Sequence, residues 1–223
     1  MADNKLIGLY GGAFDPIHKA HISIAQKCIE EIGLDKIIFI PTGCSPNSKI
    51  LNDHHHRLEM LKIVCKEKKF ESSDFEIKQY LNQKKISYTI NTLKYFKKNS
   101  DFTFLFILGT DAFSTIDSWH KWNEILTHCH LILIERGVEK SDIETMPAEV
   151  KEFFKKNIAK DVNELKKNNH GKIYPISMPV FSESSSEIRN RAMKGLDFKE
   201  FLPIKIQEYI DKNKLYKLPG QNK

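Results

Sequence analysis

Apolar positions along the chain alternate between short continuous runs and stripes at helical spacing. Leu6, Ile7, Leu9 and Tyr10 form a run like that of a strand covered on both faces. Ile22, Ala25, Ile29 and Ile32 then recur at helical spacing, which predicts a helix over about 17–32, with Gly33 as its stop. Lys36 to Ile40, KIIFI, reads as a second buried strand, so Leu6 to Ile40 makes a βαβ unit with a right-handed crossover. Asn52 or Asp53 caps a helix continuing through Leu58, Leu61 and Val64. Phe75 to Ile77 reads as a short edge strand, and Ser87, Tyr88 and Thr89 open a helix through Leu93 and Phe96. Phe102 to Leu108, FTFLFIL, is the most apolar strand and belongs at the centre of the sheet. In the following segment, 113–122, Trp119 and Trp122 stand at a helical i, i+3 step.

Cys129 to Ile134 and Lys172 to Ile176 are the fifth and sixth strands. Between them, residues 138–170 turn rich in Lys, Glu and Asn. The stretch PAEVKEFFKKNIAKDVNELKKN reads as one amphipathic helix, with Val150, Phe153, Phe154 and Ile158 on its apolar side, in a peripheral helical insertion. Serines 184–186 open another helix that ends at Gly195, and Phe201 to Tyr216 closes the chain as a small C-terminal helical extension. This alternation predicts an α/β protein: a Rossmann-like doubly wound parallel sheet in a single domain spanning 1–223.

Composition narrows the class. A chain of 223 residues with 40% hydrophobic content supports a sizeable core. No apolar run approaches the roughly 20 residues of a spanning helix, and MADNK lacks the apolar stretch of a signal peptide. A soluble, cytoplasmic protein with no membrane partner is expected. Cys28, Cys44, Cys65 and Cys129 are scattered without a C-x-x-C pair and read as reduced thiols, most of them buried. The net charge of +6 suits nucleic acid or small polyanionic substrates. Its lysines are dispersed through KEKK, KYFKK, KEFFKK and ELKK rather than gathered in one stripe. That favours a solvated surface over an RNA-binding face, so no nucleic-acid partner is expected.

The candidate chemistry gathers in two places. In KLIGLYGGAFDPIHKAH, Gly11 and Gly12 follow the first strand, where the backbone turns sharply or approaches a ligand. Phe14 and Asp15 continue the loop, and Pro16 suits a first helical position. His18 and His21 then share one face of the first helical turn, beside free N–H groups and the positive end of the helix dipole. Together they make an anion site with two imidazole donors. Late in the chain, SSSEIRNR offers a second one: serines opening a helix, with Arg189 one turn on as a guanidinium fork. Neither G-x-S-x-G nor a P-loop is present, and no cysteine is paired with a histidine by motif. The consecutive histidines of NDHHH do not share a helical face and have no acidic or cysteine partner at ligand spacing, so no protein-held metal is expected. What remains suits phosphoryl-type transfer by positioning and charge neutralisation.

GGAFDPIHKAH resembles the GG-T-FDPIH-x-GH signature of bacterial nicotinate mononucleotide adenylyltransferases. The shorter H-x-x-H element is shared across the nucleotidylyltransferase superfamily, whose fold the resemblance implies. Ala13 stands where that signature has Thr, and Ala20 where it has Gly. The loop PTGCSPNSK is similar to the family's P-P-H-K region, with Asn47 in place of a phosphate-reaching His and Lys49 as a triphosphate contact. HRLEML resembles the segment in which Arg57 would be structural. SYTINTL resembles the element whose Tyr88 and Thr89 would meet the nicotinate group. Gly109, Thr110 and Asp111 resemble the G-A/T-D turn at the ribose, Trp119 would stack on the pyridine ring with Trp122 in the core, and Arg136 would face the adenine or ribose. SSSEIRNR resembles I-S-S-T-x-I-R-x-R, and FLPIKIQEYIDKNKLY the closing structural segment, so the likeness covers nearly all of the chain apart from 138–170.

The resemblance implies transfer of AMP from ATP to nicotinate mononucleotide, giving deamido-NAD and diphosphate in NAD biosynthesis. It implies an ATP set of Gly11, Gly12, Ala13, Phe14, His18, His21, Lys49, Gly109, Asp111, Arg136, Ser184, Ser185, Ile188 and Arg189. The mononucleotide set is Tyr88, Thr89, Asp111 and Trp119, and the catalytic residues are His18, His21 and Arg189. Mg²⁺ would come with ATP rather than sit in a protein cage. Homo-oligomerisation is left open. Nicotinamide mononucleotide or another nucleotidylyl acceptor is the sibling alternative. A non-catalytic nucleotide sensor or RNA-binding protein on the same fold is the alternative of another class, suggested by Ala13, Ala20, Asn47 and the basic charge.

Overall fold

The computed structural model describes residues 5–44, 53–66, 69–137 and 145–216. Among them six strands form one parallel sheet: β1 (Leu6–Gly12), β2 (Lys36–Pro41), β3 (Phe70–Ser72), β4 (Thr103–Gly109), β5 (His130–Arg136) and β6 (Ile173–Met178). Their order is β3-β2-β1-β4-β5-β6, and every neighbouring pair is parallel. The period of two along each strand divides its side chains between two cores. Leu6, Tyr10, Leu105 and Ile107 enter one cluster; Ile7, Leu9, Phe104, Phe106 and Leu108 enter the other. The first is closed by α1 (Lys19–Ile32), α2 (His54–Val64), and two late helices over Ser185–Met193 and Ile204–Lys212. The second is closed by α4 (Thr89–Lys98), Phe113, and a helix over Ala148–Asn157. Helices on both faces make this a doubly wound Rossmann-like fold. Winding reverses between β1 and β4, which opens a crevice at the carboxyl ends of those strands.

Several elements differ from the sequence expectation. β1 runs through both glycines, and α1 begins at Lys19 with His18 as its N-cap, so Pro16 lies in the preceding turn. Gly33 ends α1 in the left-handed region, φ 79°. The face of α1 turned to the sheet is Ala20, Ile24, Ala25, Cys28 and Ile32; Ile22 and Ile29 are only half-buried. The edge strand is Phe70–Ser72, while Phe75 opens α3 (Phe75–Gln83). There Ser73 Oγ accepts the Phe75 N–H at 3.3 Å, and Glu76 and Ile77 are buried as helix residues.

Trp119 and Trp122 do not share a helix. β4 leads into α5 (Thr110–Phe113), and two short 3₁₀ turns, Ile116–Ser118 and Trp122–Thr127, follow on either side of Lys121 at φ 55°. The long amphipathic helix is two helices, α6 (Ala148–Asn157) and α7 (Val162–Lys167). Ile158 is extended between them and bridges to Ile173, where the Ala159 N–H donates to the Ile173 carbonyl at 2.8 Å. That strand-like pairing breaks the helix and leaves Ile158 exposed, while Val150, Phe154 and Leu165 are buried. The two late helices are α8 (Ser185–Met193) and α9 (Ile204–Lys212). Among the described residues no helix is long and apolar enough to cross a membrane. None of the four cysteines is disulfide-bonded; Cys28 and Cys129 are buried, which pushes their thiols up.

Candidate active site

The loop between β1 and α1 is shaped by its own aromatic packing. A Cβ at Gly11 would stand 3.2 Å from the Phe106 ring, and one at Gly12 would stand 3.1 Å from Phe14. Phe14 itself adopts φ 48°, and its ring packs edge-on against Tyr10, Phe39 and His21 at centroid distances of 5.6, 5.5 and 5.1 Å. The backbone of this loop is anchored by three distant side chains. Arg57 Nη1 donates to the Ala13 carbonyl at 2.8 Å, Arg189 Nη1 to the Asp15 carbonyl at 2.6 Å, and Ser185 Oγ to the Pro16 carbonyl at 2.9 Å. Asp15 is buried, and its Oδ1 accepts the Tyr216 hydroxyl at 2.7 Å. Burial, with the Asp15 charge and hydrogen bond, pushes the Tyr216 phenol up.

His18 caps α1 and is itself buried. Its backbone N–H donates to His21 Nδ1 at 3.3 Å, and the two rings lie 3.8 Å apart at a 42° tilt. Because His21 Nδ1 accepts, the neutral ring carries its proton on Nε2. No acidic side chain occupies the first turn of α1, so the dipole and the imidazole pair act together toward an anion.

The late serine–arginine cluster sits directly on this loop. Ser184 caps α8 by accepting the Glu187 N–H at 3.1 Å, Ile188 is buried beneath it, and Arg189 Nη2 donates to Ser186 Oγ at 3.2 Å. The hydroxyls of Ser184 and Ser185 thus hold the fold, and the start of α8 with half-buried Arg189 lies on the Asp15–Pro16 turn that leads to the histidine pair.

The mononucleotide candidates lie around the starts of α4 and α5. Tyr88 is the N-cap of α4 and Thr89 its first residue; the Tyr88 ring lies 4.6 Å from His120. Trp119 meets Phe106 edge-on at 6.5 Å, on the ring that also covers Gly11, whereas Trp122 packs on Phe153 at 5.0 Å. Gly109 ends β4, and Asp111 is exposed in α5 at the carboxyl edge of the sheet. Lys49 and Asn47 lie outside the described residues, as does the side chain of Arg136, whose backbone ends β5.

The histidines of NDHHH diverge. His54 Nε2 lies 2.7 Å from the Gly43 carbonyl, His56 Nδ1 lies 2.9 Å from the Tyr209 hydroxyl, and His55 is exposed. Among the described residues no three His, Cys, Asp or Glu side chains are grouped to hold a metal.

Sequence reasoning assigned no role to Asp15, Tyr216, Glu76 or His120. FDP was a signal for Asp15; the others are joined to the site only by long-range contacts. Arg57, fully buried, ties the first loop to the second, since its Nη2 donates to the Thr42 carbonyl at 2.8 Å. Burial pushes its guanidinium below the usual range, an effect opposed by Asp15, Tyr216, Asp53 and Glu76.

Comparison with known proteins agrees with this architecture. The family described as Cytidylyltransferase-like matches residues 9–191. A protein of Clostridium novyi (strain NT) named probable nicotinate-nucleotide adenylyltransferase is 33% identical over 217 residues, covering 96% of this chain and 100% of its own. One of the same name from Clostridium botulinum (strain Okra / Type B1) is 35% identical over 218 residues, covering 96% and 99%. Among solved structures, Plasmodium falciparum nicotinic acid mononucleotide adenylyltransferase complexed with NaAD superposes with a TM-score of 0.71 at 27% identity, covering 95% of this chain and 97% of that one. The same enzyme complexed with APC gives 0.69 over the same shares. The chain therefore belongs to the cytidylyltransferase-like family, among its nicotinate-nucleotide adenylyltransferase members.

Proposed function

We propose that this protein transfers the adenylyl group of ATP to nicotinate mononucleotide, giving nicotinate adenine dinucleotide and diphosphate in NAD synthesis. One observation carries the reading. Arg189 and Ser185, from the late cluster, hydrogen-bond the Asp15 and Pro16 carbonyls of the loop that leads to His18 and His21. Two anion-binding helix starts, more than 160 residues apart in the chain, thereby face one crevice at the topological switch. A triphosphate is the natural occupant of such a pair. The names of the relatives and the NaAD and APC complexes of the Plasmodium enzyme support the same substrates.

In this reading a phosphate oxygen of the mononucleotide attacks the α-phosphorus of ATP in line. The new P–O bond forms as the bond to the β-phosphate bridging oxygen breaks, and diphosphate leaves with that electron pair. The attacking phosphate is already anionic at neutral pH, so no general base is required. Catalysis rests on holding the two phosphates together and stabilising the charge that builds at the transferred phosphorus. His18 and His21 donate to the α- and β-phosphates, and Arg189 with the start of α8 holds the β/γ end. Mg²⁺ enters as part of the substrate, MgATP. On the acceptor side, Tyr88 and Thr89 at the start of α4 receive the nicotinate carboxylate, favoured by the helix dipole. Trp119 stacks on the pyridine ring, and Asp111 accepts ribose hydroxyls. The basic charge then serves small polyanions rather than nucleic acid, in a cytoplasmic enzyme.

The test is diphosphate release from ATP with nicotinate or nicotinamide mononucleotide as acceptor, with the dinucleotide identified by mass. The reading expects faster turnover with the nicotinate form. ATP binding without diphosphate release with either acceptor would make the protein a nucleotide sensor.

A further inference from the structure

Thr42 to Cys44, the described residues that follow β2, are bonded on both sides. Toward the triphosphate loop, the Thr42 N–H donates to the Gly12 carbonyl at 2.9 Å, and Arg57 bridges the Thr42 and Ala13 carbonyls. Toward the start of α4, the Ser87 N–H donates to the Cys44 carbonyl at 2.8 Å, and the Cys44 N–H donates to Ser87 Oγ at 3.3 Å. His54 Nε2 meets the Gly43 carbonyl from the α2 side. Gly43 has no room for a side chain, because a Cβ there would overlap the Glu76 carbonyl group.

At the middle of this junction is the Glu76 carboxylate. It is 8% exposed and accepts the Thr92 hydroxyl at 2.7 Å; burial pushes the carboxyl up, an effect opposed by Thr92, the Ser87 side chain, the Gly43 backbone and Arg57. A buried acid bonded to α4 through its side chain, with its own backbone packed against Gly43, fixes that helix relative to the Thr42–Cys44 loop. Thr92 lies within α4, and Ser87 immediately precedes Tyr88, the N-cap of that helix. The start of α4, at Tyr88 and Thr89, is where the mononucleotide is received in the function proposed above.

We propose that Glu76 is a positioning residue for the mononucleotide: its carboxylate sets the Ser87–Thr89 turn against the Thr42–Cys44 loop, so that Tyr88 and Thr89 are aimed at the acceptor before it binds. The inference rests on the adenylyl-transfer reading. Glu76 touches neither substrate. Its effect is read through Thr92 and α4, on the acceptor side, while the Ala13, Asp15 and Pro16 carbonyls of the triphosphate loop are held by Arg57, Arg189 and Ser185.

The test is steady-state kinetics with each substrate varied in turn. Glu76→Gln keeps the volume but faces an amide N–H₂ toward a site that supplies donors. Thr92→Val removes the hydroxyl that donates to Glu76 and nothing else of comparable size. Glu76→Gln should raise the KM for the mononucleotide about 3- to 10-fold, the equivalent of one hydrogen bond's net worth. The KM for ATP, and ATP affinity by calorimetry, should stay within about 2-fold. Thr92→Val should shift the same constant in the same direction by less. Far-ultraviolet dichroism and melting establish that each variant is folded. A parallel rise in both KM values, or no change in either variant, overturns the assignment of Glu76. Absence of turnover in the unaltered protein with any pyridine mononucleotide overturns the adenylyl-transfer reading instead.

Discussion

Arg57→Met is the substitution whose cost can be worked most fully from the structure. Arg57 is fully buried and donates to two carbonyls, Ala13 and Thr42, each at 2.8 Å. Methionine fills much of the same space but donates nothing. Each carbonyl left dry and unpaired costs about 1–3 kcal/mol. The substitution also removes a favourable positive charge near buried Asp15 and Glu76. Against this, removing a desolvated guanidinium relieves part of its own burial penalty. The balance is a loss of about 3 kcal/mol, against a total stability of roughly 5–15 kcal/mol for a domain. For a chain of this size that lowers the melting temperature by roughly 6–12 °C. Urea unfolding should show a lower midpoint at unchanged slope, and kcat/KM should fall because both ligand loops lose an anchor. A loss below about 1 kcal/mol would show that the two carbonyls are satisfied without Arg57 and would refute the reasoning.

Three further predictions follow from single contacts. Tyr216→Phe removes the hydroxyl that donates to Asp15, and denaturant titration should find the protein about 1 kcal/mol less stable. Gly43→Ala forces a methyl onto the Glu76 carbonyl group, and the same titration should show a loss of about 1–3 kcal/mol or more. His130 is buried, with Nε2 donating to the Asn168 carbonyl at 2.9 Å and Nδ1 accepting the Lys172 N–H at 3.1 Å. Burial lowers its pKa, so the unfolded chain binds the extra proton more readily. Stability from the neutral ring is therefore complete above about pH 6.5 and is lost as pH falls toward the lower folded value. Melting at pH 7.5 and 5.5 should show the fall, and His130→Asn should flatten it.

How much was legible in the sequence depended on how local each signal was. The first ligand loop was readable because a strand, two glycines and paired histidines fall within one short window. The central place of FTFLFIL was readable because a strand covered on both faces is continuously apolar. The edge strand was placed at 75–77 because Phe-Glu-Ile alternates at period two. The true edge, Phe70–Ser72, is three residues long and carries little apolar pattern. Trp119 and Trp122 keep helical spacing in sequence, yet Lys121 at φ 55° stands between them, and no residue type announced it. The break at Ile158 comes from pairing with Ile173, a partner supplied by a strand still to come in the chain.

The same limit applies at the site. His18, His21 and Arg189 could be named from motifs, but their proximity depends on a hydrogen bond spanning 174 positions between Arg189 and the Asp15 carbonyl. Glu76 looks like any acid on a helix. Its burial depends on Gly43, Ser87 and Thr92, which only the fold assembles.

The central claim is that the histidine pair and the late arginine act on one triphosphate, and a double-mutant cycle on kcat/KM tests it most directly. His18→Ala and Arg189→Ala should each lower kcat/KM about 100-fold or more, with far-ultraviolet dichroism establishing that each variant is folded. Together they should lose less than the product of the two, as groups serving one transition state do. Wild-type turnover in folded His18→Ala, or losses that multiply in the double variant, would contradict the account.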